Sequence, residues 1–141
     1  MNAPLYTTEI LRLAASLPEP RALDRVSGTS EQRSPTCGST VRLEVELDAE
    51  GFVRAVSQEV HACAFGQASA SLMAASALGR SREEVARALA DFENWLGGRC
   101  DDPGDWPGLA ALAPARSRRS RHGAMLLPFR ALLAAIEDSR R

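Results

Sequence analysis

The nine residues "TVRLEVELD", 40–48, alternate without a break: Val41, Leu43, Val45 and Leu47 fall on one side, and Arg42, Glu44, Glu46 and Asp48 on the other. A period of two describes a strand with one dry face and one wet face. Such a strand cannot stand alone, because its edges need partners and its dry face needs a cover. Both follow in the chain. "DAEG", 48–51, reads as a turn with Gly51 free to take positive φ, and "FVRAVSQEVHA" returns with Val53, Val56 and Val60, which predicts an antiparallel hairpin. From Cys63 the period changes: "AFGQASASLMAASALG" is rich in small residues and uninterrupted, which predicts a helix from Cys63 to a glycine cap at Gly79.

The remaining segments complete one layer on another. "LYTTEILRLAAS", 5–16, has helical spacing that Pro18 and Pro20 stop. Residues 25–33 can form a weak edge strand. Ser81 and Glu84 fit a capping box ahead of a helix with Val85, Leu89, Phe92 and Leu96 on one face, ended by Gly97 and Gly98. Residues 99–121 are punctuated by proline and glycine and read as an insert or long loop, with a short helix at 107–112. The last segment is helical by spacing, with Pro128 placed in its first turn. The expected fold class is α+β, a small three-stranded antiparallel sheet packed against four or five helices. The expected domain organisation is a single domain, 1–141, with an insert at about 99–121.

Charge excludes more than it selects. With 17 basic groups, all arginine, against 18 acidic ones, no global field argues for nucleic acid or a membrane surface. The run "ARSRRSR", 115–121, lacks the interleaved aromatics of a nucleic-acid site. It is either a solvated loop or a docking surface for an acidic partner. Three cysteines, no long apolar run and no leader pattern set the expectation of a cytoplasmic protein whose thiols are packed, catalytic or metal-bound, not disulfide-bonded.

Cys37, in "SPTCGST", and Cys63, in "HACAFGQASAS", mark the outer ends of the two hairpin strands, so pairing of those strands brings the thiols towards each other. Cys63 at a helix N-terminus is expected to be the more activated thiolate and the candidate sulfur acceptor. His122 is a candidate third donor, and two thiolates with an imidazole suit zinc or iron. The bland alternative is one packed thiol, one loop thiol and an exposed histidine. Cys100, among acids in "GGRCDDPGD", reads as an exposed loop thiol, and His61 as a weaker alternative donor. Trp95 and Trp106 read as anchors.

"CGST", the alternating strand, the glycine turn, the second strand and "ACAFGQASASLM" together resemble the CGD and GCxxxxASxS signatures of the IscU/NifU-type iron-sulfur cluster scaffold family. The resemblance covers residues 20–97 well and the last helix moderately, and it implies a SufE/NifU-like fold. In that family three cysteines and the CGD aspartate surround zinc or a nascent [2Fe-2S] cluster, often with a histidine before the third cysteine. The long stretch holding "DWPGL" resembles the SufU-like branch, which holds zinc and accepts sulfur from a cysteine desulfurase. "SRHGAMLLPF" echoes its ARRC-x-LPW-like ending. Two positions depart: the aspartate is Ser39, and the third cysteine is Gly123.

The resemblance therefore implies a scaffold that carries zinc, iron or a transient [2Fe-2S] cluster on Cys37, Cys63 and His122. It also implies a cysteine desulfurase and apo iron-sulfur proteins as partners. Because of Ser39 and Gly123, three explanations compete: a site completed by water or a partner residue, a site bridged between two chains, and a degenerate scaffold-fold adaptor without metal. A zinc-dependent sulfurtransferase is the enzymatic alternative.

Overall fold

The computed structural model describes residues 5–141, so the first four residues of the expected domain lie outside it. Its elements run α1 (Thr8–Ala15), β1 (Gly28–Arg33), β2 (Thr40–Leu47), β3 (Val53–His61), α2 (Ala64–Ser76), α3 (Arg82–Leu96), a 3-10 helix η1 (Leu109–Ala115) and α4 (Arg119–Asp138). The three strands form one antiparallel sheet in the order β1-β2-β3. This is the α+β arrangement expected from the alternation.

The dry face of β2 is dry: Val41, Leu43 and Val45 are wholly buried, and their partners Val60, Gln58 and Val56 share that face. α4 lies across β1 and β2, α2 packs on α4, and α1 and α3 close the sides against α2 and α4. Gly28 is the tight point, because a Cβ there would run into the Ala135 carbonyl of α4. Phe92, Trp95, Trp106 and Phe129 form an aromatic cluster, with Phe129 edge-on to both Phe92 and Trp106 at centroid distances of 5.4 and 5.2 Å. Trp106 also donates its Nε1–H to the Leu72 carbonyl at 3.0 Å.

Two expectations change. Within residues 99–121 the short helix read at 107–112 is the 3-10 helix Leu109–Ala115, with Trp106, Leu109, Leu112 and Ala115 buried, but the first turn of α4 begins inside the arginine run expected to be loop. Pro128 consequently sits in the interior of α4, not its first turn. Proline has no N–H to give the carbonyl four residues back, and its ring pushes that carbonyl away. The loosened stretch is where α2 docks. A Cβ on Gly66 would lie 3.2 Å from the Ala124 carbonyl, and the Ser69 hydroxyl donates to the Met125 carbonyl.

Candidate functional site

Thr40 at the start of β2 pairs with His61 at the end of β3. The turn holding Cys37 and the cap residue Cys63 are the next chain on either side of that pair, so both belong to one pole of the sheet. The turn is closed by its own backbone. Ser34 N–H donates to the Ser39 carbonyl at 2.8 Å, and Gly38 N–H donates to the Ser34 carbonyl at 2.9 Å. Gly38 has φ +73°, a conformation that glycine adopts without strain. Cys37 is exposed at the apex, and Ser34 and Ser39 are buried beneath it.

Cys37 Sγ and Ser39 Oγ are 3.0 Å apart. Burial pushes the Cys37 thiol up, but the hydroxyls of Ser34 and Ser39 and the backbone N–H groups of Ser39 and Cys37 outweigh it, leaving its pKa below the ordinary thiol range. Helix position pointed to Cys63 as the activated thiol, whereas the hydrogen-bonded one is Cys37. The signal lay in "SPTCGST", which sets serines at −3 and +2 from the cysteine. A serine reads as turn chemistry until the turn shows where its hydroxyl goes.

Cys63 is the N-cap of α2, with extended backbone, no side-chain capping bond and a side chain half-buried against the core. His122 lies in the first turn of α4 and its Nε2 is 2.8 Å from the Arg116 carbonyl. A carbonyl only accepts, so Nε2 carries a proton, and Nδ1 is the nitrogen with a lone pair whenever the ring is neutral. Arg116 is itself fixed: its guanidinium stacks on Trp95 and donates to the Trp95 and Cys100 carbonyls, both at 3.0 Å. Gly123 packs on the Cys37 turn, because a Cβ there would lie 2.5 Å from Ser34 Oγ. The Ser34 hydroxyl thus takes space that a cysteine at 123 would need.

Cys100 is exposed, and His61 is exposed beside Glu59 at 3.1 Å. Among the described residues, no three His, Cys, Asp or Glu side chains are grouped to hold a metal ion. With Ser39 in place of a carboxylate and Gly123 in place of a thiol, the donors that remain are two thiols and one imidazole, a three-ligand set and not a closed four-ligand one. The pole is nevertheless positive. The N-termini of α2 and α4 have no side-chain cap and no acid in their first turns, and the Arg118 and Arg119 side chains, both exposed, meet no carboxylate among the described residues.

Comparison with known proteins gives this pole a context. A family model described as the NifU-like N-terminal domain matches residues 6–110. The chain is 25% identical over 133 residues to the iron-sulfur cluster assembly scaffold protein IscU of Thermotoga maritima, covering 94% of this chain and 93% of that protein. Its fold is similar to the crystal structure of an N-terminal NifU-like protein from Brucella abortus, with a TM-score of 0.89, 28% identity, and coverage of 96% and 94% of the two chains. A scaffold protein for the SUF system from Fervidobacterium islandicum shares the fold, with a TM-score of 0.83 at 22% identity over 94% of this chain and 96% of that one.

Proposed function

The chain belongs to the NifU-like N-terminal domain family, as a scaffold-type protein of iron-sulfur cluster assembly, and from that premise we propose that its sulfur enters at Cys37. The sulfur donor is a cysteine desulfurase, and the cargo passes to apo iron-sulfur proteins. Cys37 is the accepting thiolate and Cys63 the second sulfur donor to the cargo. His122 is the third, through Nδ1: a ring that donates Nε2–H to a carbonyl is oriented as ligating histidines usually are. The cargo is a [2Fe-2S] cluster in transit or the iron from which one is built.

One observation carries this reading: the Thr40–His61 pairing sets the Cys37 turn and the Cys63 cap at one end of one hairpin, beside the open N-terminus of α4. The test mixes the protein with a cysteine desulfurase and isotopically labelled cysteine. Labelled sulfur on Cys37, lost in Cys37→Ala and kept in Cys100→Ser, supports the proposal. Label that never leaves the desulfurase overturns it.

A second reading, an adaptor that keeps the fold without the cargo, is favoured by the Ser34 hydroxyl standing in the side-chain space of Gly123. Iron reconstitution separates the two, since the adaptor binds no iron that depends on Cys37 and Cys63. The zinc-dependent sulfurtransferase predicts faster desulfurase turnover when zinc is added.

A further inference from the structure

The two serines around Cys37 have different bonding states. Ser39, 6% exposed, already has its hydroxyl 3.0 Å from the sulfur. Ser34, 3% exposed, has a buried hydroxyl near enough to the thiol to help lower its pKa but without a full hydrogen bond to any group, on the side of the turn that faces Gly123. Leaving a buried hydroxyl unpaired is costly, because its lost hydration is not replaced. Such orphans in folded proteins point to a role in binding or chemistry. A neutral thiol competes as a weak donor, whereas a sulfur anion only accepts and can take both hydroxyls at once. Two backbone hydrogen bonds close the turn, which keeps the backbone of Ser34 and Ser39 on either side of Cys37.

We propose that Ser34 and Ser39 are positioning residues that hold sulfane sulfur on Cys37 without a metal ion. This rests on the reading of Cys37 as the sulfur acceptor and adds how the sulfur is kept. In the transfer, the Cys37 thiolate attacks the outer sulfur of a persulfide R–S–SH. A Cys37 S–S bond forms, the R–S–S bond breaks, and R–S⁻ leaves with its electron pair, so that Cys37–S⁻ and R–S–SH become Cys37–S–SH and R–S⁻. No oxidant or reductant is consumed. The hydroxyls stabilise first the attacking thiolate and then the ionised persulfide.

A carboxylate at position 39, which the scaffold signature carries, would act in the opposite sense. Placed about 3 Å from a sulfur anion it repels by like charge, and a cation must sit between the two. Serine at 39 exchanges that cation requirement for a hydrogen bond.

The experiment uses the full chain, treated with chelator, and glutathione persulfide as the sulfur donor, with intact-protein and peptide mass spectrometry counting sulfur added at Cys37. Wild type is expected to load and keep one sulfur atom in the presence of chelator. Ser39→Ala and Ser34→Ala are each expected to shorten the lifetime of the loaded form about tenfold, the loss of one charge-assisted hydrogen bond. Ser39→Thr, which keeps the hydroxyl, restores it, and Ser39→Asp loads only when zinc is added. Thermal melting of each variant confirms that a change in lifetime is not a change in folding.

If wild type loads only with zinc, or if both alanine variants keep sulfur as long as wild type, the proposal is overturned. Loading from glutathione persulfide but not from a desulfurase sustains it while removing the desulfurase reading.

Discussion

The N-terminus of α3 and those of α2 and α4 are built on opposite plans. At α3 the Ser81 hydroxyl accepts from Glu84 N–H and the Glu84 carboxylate accepts from Ser81 N–H, both at 3.1 Å, with Glu83 and Glu84 in the first turn. That satisfies orphan donors and places negative charge against the positive end of the helix. The capping bonds hold the Glu84 carboxyl below the usual carboxylate range. α2 and α4 have no capping side chain and no acid in the first turn, and α4 adds Arg119 and Arg121 to a terminus that is already positive. α3 starts where only stability is at stake. α2 and α4 start at the thiol pole, where donors and positive charge left unsatisfied by the protein remain available to an anionic cargo or partner.

The contrast can be broken most sharply at the thiol itself. Cys37→Ala is expected to abolish sulfur loading completely while changing unfolding free energy by no more than about 0.5 kcal/mol, because the side chain is exposed. Loading assayed by mass spectrometry beside a urea melt checks both halves. The reverse pattern is expected at the aromatic cluster. Phe129→Ala removes a wholly buried ring touching Phe92 and Trp106 and should cost about 3–5 kcal/mol in denaturant unfolding, yet the protein that stays folded loads sulfur normally.

The caps themselves give smaller effects of opposite sign. Ser81→Ala is expected to lower stability by about 1 kcal/mol with sulfur loading untouched. Arg119→Glu, which gives α4 the acid it lacks, should raise stability by about 0.5 kcal/mol and weaken association with an anionic partner. A loss of stability there would show that the open terminus is not a stability sacrifice. The gentlest test is pH. With the Cys37 pKa lowered, its thiolate persists below the pH at which an ordinary thiol is protonated, so iodoacetamide labelling of Cys37 should continue to lower pH and fall off only through the depressed pKa. Ser39→Ala should move that profile to higher pH.

Much of this architecture was legible in the chain because each element carries a local signal. The alternation from Val41 to Leu47, the Gly51 turn, the Ser81 and Glu84 box, and the change of period at Cys63 all appear as expected. The start of α4 was not legible. Four arginines among residues 116–121 and a proline at 128 argue locally for a loop followed by a late helix. Docking of α2 against the Ala124 and Met125 carbonyls, where the proline opens the helix, overrides them. For the segment 99–118 the sequence offered a short helix and a tryptophan anchor but not what they pack on, because Trp106, Leu109 and Leu112 are too few to set a long helical period. What buries them is the surface of α2 and α4.

The residue pattern alone determined that one dry sheet face would be roofed by helices and that Cys37 and Cys63 would flank a hairpin, since strand periodicity and turn residues act within a few positions of each other. Only the folded chain decided which thiol has hydroxyl partners, that the His122 ring is held by the Arg116 carbonyl, and that Ser34 fills the side-chain space of Gly123. Those outcomes depend on a few ångströms between side chains from separate elements. Contacts of that kind are set by packing and hydrogen-bond satisfaction across the core, which no local stretch of sequence encodes.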